Sequence, residues 1–197
     1  LDFGKVITCG EGGVVLTATA EADRIAREYH DHGHESNPEL PRGRDTKSRS
    51  GFNYRMTEMQ AVVAKAQLAK LDAILAANRA RYDALAATLG NAAQLRRIPD
   101  SAEPIYDTLI LIVNDAEARS RSIELLSELH FGTKNLPDAM EWHCSAFWHH
   151  MLPQQEVEHS ARTRERLETA VAVPISLRRE VSEYAELGRR LHDVLYG

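Results

Sequence analysis

Residues 51–60 read GFNYRMTEMQ, and the last four of them carry the start signal of a long helix. Thr57 and Gln60 stand three residues apart, which is the spacing of a capping box at a helix N-terminus. Apolar residues then recur at helical intervals, and the pattern continues to Leu89 with a bend expected near Asp72. This stretch therefore predicts that a long helix occupies the middle of the chain.

The residues before this helix form a long polar segment. Residues 34–51 contain two prolines and show no periodicity, and loops of that length within a compact domain are usually functional or mobile. Residues 20–29 have apolar side chains at helical spacing. We therefore expect a helix over 20–29, followed by a functional or mobile loop.

A glycine-rich turn follows the first few residues. Residues 5–13 read KVITCGEGG, and β-branched runs at 6–8 and 14–17 flank the glycines. The pattern predicts two short strands joined by a tight turn, since glycine permits positive φ. The turn lacks the spacing of a phosphate-binding P-loop, so we interpret it as structural.

The second half of the chain alternates between strand and helix patterns, which predicts an α/β class. We expect a boundary near Asp72 that separates residues 1–71 from residues 72–197. The apolar and helical patterns predict strands at 108–113, from 131 onward and at 170–174, and helices at 115–130, 160–168 and 181–195.

Composition narrows the class of function. The 197 residues carry a formal net charge of −5, which argues against nucleic-acid binding because no basic excess is present to neutralise phosphates. No apolar run is long enough to span a bilayer. Cys9 and Cys144 form no metal-binding or disulfide pattern, so we expect a cytoplasmic protein.

Two motifs occur in a fixed order along the chain. Residues 5–13 match K-x-I-T-x-G-E-G-G, and residues 51–60 match G-x-N-Y-R-M-T-E-x-Q, with a His-Gly pair at 32–33 between them. Together they closely resemble the DegT/StrS-type sugar aminotransferases, which are pyridoxal-phosphate enzymes of fold type I. The resemblance implies that residues 1–71 end a large cofactor-binding domain and that 72–197 form the smaller C-terminal domain. The family subunit is roughly twice this length, so we expect the chain to be its C-terminal half.

The resemblance also implies roles for individual residues. Lys5 matches the lysine that forms the Schiff base with pyridoxal 5′-phosphate, and Asn53 matches an asparagine that reaches the partner's cofactor phosphate across a homodimer. Arg55 suits a substrate carboxylate or phosphate and equally an interface salt bridge. Lys134 and Asn135 fall where family members contact substrate, although the family more often has histidine or tyrosine there.

Several loop sequences resemble a narrower branch of the family. They are YHDHGHE at 29–35, LPRGRDT at 40–46, GTKNLPDAMEWH at 132–143 and AVPI at 172–175, and they look like the 8-amino-3,8-dideoxy-D-manno-octulosonate transaminases of lipopolysaccharide biosynthesis. The expected reaction transfers an amino group from glutamate to a keto sugar or keto sugar acid. The alternative is a non-catalytic dimerisation or ligand-binding remnant. A dehydratase is disfavoured, because dehydratases of the family replace the lysine with histidine.

Histidines cluster at two places, and neither arrangement favours a metal. His30, His32 and His34 alternate at a helix end, which is poor spacing for convergent ligands. The aromatic, histidine-rich segment 142–150 is more typical of a packed surface loop. We therefore expect no metal site.

Overall fold

The computed structural model describes residues 1–196, and the chain divides into two compact units, Leu1–Leu71 and Asp72–Gly197. It stays a prediction that the first unit is the end of a large domain and that the second is a complete small domain.

The first unit begins its regular structure with helix α1, Ala20–His30, as the sequence predicts. Thr19 caps its N-terminus through the side-chain oxygen. At its C-terminus the Gly33 N–H donates to the Glu28 carbonyl at 2.7 Å. Gly33 has a φ of +83°, and a Cβ there would lie 2.1 Å from the Arg49 carbonyl oxygen. Only glycine therefore fits this helix end without displacing backbone.

The polar segment 34–51 is a loop, as predicted, and its only helical part among the described residues is a 3-10 turn at Arg42–Arg44. Residues 52–54 then return beside the end of α1. The His32 N–H donates to the Phe52 carbonyl at 3.0 Å, and the Tyr54 N–H donates to the His30 carbonyl at 2.9 Å. These bonds place the side chain of residue 53 next to Asp31.

The central helical pattern forms two helices, α2 at Glu58–Leu68 and α3 at Leu71–Leu89. The break at residues 69–70 confirms the bend expected near Asp72. The capping box is also confirmed, since the Gln60 N–H donates to the Thr57 side chain at 3.3 Å and the Thr57 N–H to the Gln60 side chain at 3.0 Å.

The two strands predicted at 6–8 and 14–17 are wrong, because both segments are irregular in the structure. A strand satisfies its backbone groups through a neighbouring strand, and no segment within residues 1–196 pairs with either one. The Cys9 N–H instead donates to the Leu1 carbonyl at 3.0 Å.

The second unit contains a three-stranded antiparallel sheet. Strand β1, Gln94–Leu95, pairs with β2, Thr108–Ile112, which pairs with β3, Ala170–Pro174. Strands β2 and β3 confirm the sequence predictions, and Ile110 lies opposite Ala172. The two-residue β1 was not predicted, because it is too short to show an alternating pattern.

Helices cover this sheet and enclose the core. They are α4 at Ala116–Glu128, α5 at Met140–His143, α6 at Gln154–His159, α7 at Ala161–Leu167 and α8 at Val181–Tyr196. Helices α3, α4 and α8 and the two longer strands contribute the buried side chains Leu85, Leu89, Leu109, Leu111, Leu125, Leu126, Val171, Val173, Tyr184, Leu187 and Leu191. The expected α/β class is confirmed.

The strand expected from residue 131 onward does not form. The Lys134 N–H donates to the Ala172 carbonyl at 2.9 Å, and the Ala172 N–H donates to the Leu136 carbonyl at 3.1 Å. This short segment thus lies along the free side of β3 without extending the sheet. Within residues 1–196, no helix is both long and apolar enough to cross a bilayer.

Candidate active site

A cleft of about 340 Å³ lies in the first unit, between the glycine-rich turn at residues 10–13, the GEGG turn, and the segment that precedes α2. Its lining residues are Glu11, Gly12, Gly13, Asn53, Tyr54, Arg55, Met56 and Gln60.

Two contacts hold the turn against the start of α2. The Gln60 side-chain amide donates to the Glu11 carbonyl at 3.0 Å, so the same residue that completes the capping box also fixes the turn. A Cβ on Gly12 would lie 2.5 Å from the Met56 methyl carbon. Gly12 therefore packs closely against the side chain of Met56, whose flexible end would have to shift to admit a Cβ.

Asn53 and Arg55 are joined within this cleft. The Arg55 Nε donates to the Asn53 Oδ1 at 2.9 Å. Since Oδ1 is the acceptor, the Nδ2 of Asn53 faces elsewhere, and it makes no hydrogen bond to any other group in residues 1–196. An amide N–H₂ of this kind is a free donor for an oxyanion.

Asp31 lies beside this pair, and three cationic or potentially cationic groups lie close to its carboxylate. Its Oδ1 is 2.5 Å from the Arg42 Nη2, 3.4 Å from the Arg55 Nε and 3.3 Å from the His32 Nδ1. Burial alone would raise the pKa of Asp31, but the hydrogen bond from His32 and the charges of Arg42 and Arg55 outweigh it and lower the pKa. The carboxylate is therefore ionised at neutral pH.

Neither Asp31 nor Arg42 belongs to a sequence pattern that predicts a site residue. They lie 11 residues apart on either side of the loop's first half, and no helical or strand periodicity relates them. They belong to the stretches 29–35 and 40–46, whose resemblance to the narrower family branch assigns no role to either residue, so the ion pair is not predictable from spacing.

Lys5 lies in an irregular turn, with its side chain 68% exposed. Its Nζ is 4.0 Å from the Asp2 Oδ2, and Lys5 does not line the cleft that holds Asn53 and Arg55. The structure thus brings two of the expected site residues together and leaves the lysine outside that cleft.

Lys134 and Asn135 belong to the second unit, where they are neighbours in the segment beside β3. The Lys134 Nζ donates to the Asp107 Oδ2 at 2.5 Å, and the ion pair is partly buried. Asn135 has a φ of +68°, a left-handed conformation that asparagine tolerates better than most residues. Asp107 was not recognised from sequence.

The histidines at the end of α1 each have a different neighbour. The His30 Nδ1 is 2.6 Å from the Arg27 carbonyl, and the His34 Nδ1 is 3.5 Å from the Asp45 Oδ2. Across residues 1–196, no three His, Cys, Asp or Glu side chains are arranged to hold a metal ion.

The motifs and the fold are matched by one family of known proteins. Residues 3–179 match the model of the DegT/DnrJ/EryC1/StrS aminotransferase family. The chain belongs to this family. The match extends over both units and includes the cleft.

Two curated relatives of this aminotransferase family member are similar over two thirds of the chain. One is the lipopolysaccharide biosynthesis protein RfbH of Salmonella typhimurium, 25% identical over 155 residues, or 66% of this chain and 36% of RfbH. The other is the dTDP-4-dehydro-2,6-dideoxy-D-glucose 3-dehydratase of Saccharopolyspora spinosa, 30% identical over 154 residues, or 66% of this chain and 33% of that protein.

Solved structures show the same fold. 3-Amino-5-hydroxybenzoic acid synthase superposes with a TM-score of 0.74 at 23% identity, covering 99% of this chain and 53% of the synthase. The sugar aminotransferase CalS13 of Micromonospora echinospora gives 0.72 at 16% identity, covering 96% and 49%. The chain therefore spans about half the length of the solved structures it matches.

Family membership confirms the broad resemblance drawn from residues 5–13 and 51–60. Aminotransferases of this family use pyridoxal 5′-phosphate. The narrower octulosonate branch, the individual site residues, the homodimer and the cytoplasmic location stay predictions.

Proposed function

We propose that the intact protein carrying this chain is a pyridoxal-phosphate-dependent aminotransferase that moves an amino group from glutamate to a keto sugar or keto sugar acid. The observation that carries the proposal is the Asn53–Arg55 pair in the cleft. It combines a free amide donor with a guanidinium whose Nε is already fixed, and both lie within the region that matches the family.

The residues present fit the cofactor in their donor chemistry. Lys5 supplies an exposed primary amine, which can condense with an aldehyde with loss of water and later be displaced by the amine of a substrate. Asn53 supplies the free Nδ2 donor for a phosphate oxygen. When bound, the cofactor's ring withdraws electrons from the carbon that bears the amine. The Lys5 amine, once displaced by the substrate amine, would take the proton from that substrate carbon and deliver it to the cofactor carbon that had carried the aldehyde, so that the amino group stays on the cofactor.

The relation between Lys5 and the cleft supports a site shared between two subunits. Asn53 lies in a cleft that Lys5 does not line, which suits an asparagine that serves the cofactor of a second copy. In the proposed homodimer each Lys5 is therefore matched with the partner's Asn53.

For the substrate, we propose that Arg55 binds an acidic group and that Lys134 and Asn135 contact the sugar. The Nη atoms of Arg55 make no hydrogen bond within residues 1–196, and a planar guanidinium pairs well with a carboxylate or phosphate. The finer proposal is an eight-carbon keto sugar acid, as in 8-amino-3,8-dideoxy-D-manno-octulosonate synthesis. The name of RfbH, a lipopolysaccharide biosynthesis protein, agrees with that pathway.

A second candidate function arises from the 30% identity to a deoxysugar 3-dehydratase. That reaction class removes water and transfers no amine. Position 5 is the discriminating residue: this chain has lysine there, whereas the family resemblance implies histidine for a dehydratase.

The test incubates the intact protein with pyridoxal phosphate, ¹⁵N-glutamate and candidate keto sugars, and follows products by mass spectrometry. Aminotransfer predicts ¹⁵N in the sugar product and none with Lys5→Ala. A product lighter by one water, without ¹⁵N, would establish the dehydratase instead. Failure to bind the cofactor at all would establish a non-catalytic remnant.

A further inference from the structure

Two arginines from different parts of the first unit meet on one carboxylate oxygen. Arg42 comes from the 3-10 turn of the loop and Arg55 from the segment before α2. The Arg42 Nη2 lies 2.5 Å from the Asp31 Oδ1 and the Arg55 Nε lies 3.4 Å from the same atom. These two nitrogens are therefore at most about 6 Å apart.

Most hydrogen-bond donors of the two guanidinium groups remain unused. Within residues 1–196, Arg42 donates only through Nη2, and Arg55 only through Nε. Each guanidinium has five N–H donors in a planar fork. Both side chains are about half exposed, so these remaining donors are open to a ligand.

The two arginines outnumber the carboxylate that they share. Pairing keeps Asp31 ionised against the opposing effect of burial, and Asp45, which lines the same pocket as Arg42, already accepts hydrogen bonds from the backbone N–H groups of Ser36, Asn37 and Thr46. The Arg42–Asp31 pair already joins the loop to the end of α1. A second arginine on the same oxygen adds like-charge repulsion at about 6 Å, and an incoming anion would offset that repulsion.

The cluster also borders two depressions. Asp31 and Arg42 line a pocket of about 250 Å³ on the loop side, and Arg55 lines the cleft of about 340 Å³. A ligand can therefore place its acidic group between the two arginines while the rest of the ligand lies in the 340 Å³ cleft.

We propose that Arg42, Asp31 and Arg55 form a subsite for the acidic group of the substrate, with Arg42 as a specificity-determining residue and Asp31 as the residue that positions both guanidinium groups. The proposal rests on the function proposed above. The acidic group is an anionic oxygen group, either the carboxylate of a sugar acid or the diphosphate of a nucleotide sugar.

The test measures equilibrium binding to the intact, cofactor-loaded protein by calorimetry, with ligand pairs that differ only in charge. One pair is 3-deoxy-D-manno-octulosonate and its methyl ester, and the other is dTDP and thymidine. We expect wild-type protein to prefer the anion about 10- to 100-fold in one of the pairs, which identifies the source of the anion. Arg42→Gln should reduce that preference to within about threefold and leave the uncharged ligand unaffected.

Arg44→Gln is the matched control, because Arg44 lies in the same turn, is exposed and forms no ion pair within residues 1–196. It should keep the wild-type preference. Asp31→Asn distinguishes positioning from simple charge. Removing a negative charge alone would strengthen anion binding, whereas loss of positioning weakens it, and we expect weakening.

Three results would overturn the proposal. The first is no anion preference in either pair. The second is a lower melting temperature of Arg42→Gln with its anion preference unchanged. The third is a loss of anion preference in Arg44→Gln equal to that in Arg42→Gln. Stronger anion binding by Asp31→Asn would contradict the positioning role. Covalent capture of the cofactor on Lys5 is measured separately, so the aminotransferase proposal stands or fails independently of these ligands.

Discussion

The Nε of Arg55 donates a 2.9 Å hydrogen bond to the Oδ1 of Asn53, and this single bond orients both side chains. It turns the amide so that Nδ2 is free, and it leaves both terminal nitrogens of the guanidinium unpaired within residues 1–196. The two residues, which the sequence motif places two positions apart, therefore present an amide N–H₂ and a guanidinium end that make no hydrogen bond within residues 1–196.

Replacing Asn53 should weaken binding of the cofactor. A hydrogen bond from the amide to a phosphate oxygen is charge-assisted and contributes about 1.5–3 kcal/mol. Asn53→Ala in the intact protein should therefore raise the dissociation constant for pyridoxal phosphate by about one to two orders of magnitude. An absorbance titration measures it. Asn114→Ala, at an exposed position in the second unit, should bind as wild type, and unchanged binding by Asn53→Ala would contradict the assigned role.

Mixing two inactive variants should restore part of the activity. If Asn53 serves the partner's site, a heterodimer of Lys5→Ala and Asn53→Ala contains one site with both defects and one with neither. Subunit exchange, followed by differently tagged copies, should therefore recover up to about a quarter of the wild-type activity after random pairing of equal amounts. No recovery despite demonstrated exchange would place Asn53 in its own subunit's site or outside any site.

Gly188→Ala should destabilise the second unit, although alanine normally favours a helix. In an open helix interior the exchange stabilises by roughly 0.5–1 kcal/mol. Here a Cβ would lie 2.0 Å from the Thr88 Oγ1 and 2.6 Å from the Leu85 carbonyl oxygen, because α8 packs directly on α3. We expect a loss of about 1–3 kcal/mol in unfolding free energy.

Urea denaturation measures this change, and Gly43→Ala is the control. Position 43 has no atom within 4 Å of the added Cβ. A Gly188→Ala protein as stable as wild type would show that α3 and α8 do not approach this closely.

Asp45 should make folding sensitive to acid. Its side chain is 2% exposed. Burial would raise the pKa of Asp45, but the backbone N–H groups of Asn37, Ser36 and Thr46, with His34 nearby, together lower it. The pKa of Asp45 is thus lower in the folded protein than in the unfolded chain, where it is about 3.9. The ionised carboxylate therefore stabilises the fold. This stabilisation is complete when the pH is above the unfolded-state pKa, and it is lost as the pH falls through the folded-state pKa.

The comparison of wild type with Asp45→Asn measures this effect. The difference in unfolding free energy should be largest above pH 5 and should shrink as the pH falls below about 4. Asp100→Asn, at an exposed position without an ion pair in residues 1–196, should show no such trend. A difference that stays constant with pH would mean that the Asp45 carboxylate contributes no pH-dependent stability.

Local sequence signals predicted much of the fold. The capping box at Thr57, the break near Asp72 and the apolar run of β2 are all encoded within a few residues, and each formed as expected. The strands predicted at 6–8 and 14–17 did not form. β-Branched residues favour the extended conformation, but a strand also requires a neighbouring strand to pair with. Nothing near these residues in sequence shows whether that neighbour exists.

The contacts of the candidate site also include some that local sequence predicts and others that it does not. Asn53 and Arg55 belong to one continuous motif, so the sequence alone is enough to propose them together. Asp31 and Arg42 join them only because the loop folds back on the end of α1, and the ion pair spans 11 residues without periodicity. Asp107, the partner of Lys134, is 27 residues away from it. Contacts of this kind depend on tertiary structure, so spacing alone does not reveal them.

The most direct test of the central claim locates the lysine that holds the cofactor. The intact protein is loaded with pyridoxal phosphate, reduced with borohydride, digested and analysed by mass spectrometry. We expect a single stoichiometric adduct on the peptide that contains Lys5, with wild-type labelling in Lys70→Ala and none in Lys5→Ala. An adduct on Lys65, Lys70 or another lysine, or labelling that persists in Lys5→Ala, would contradict it.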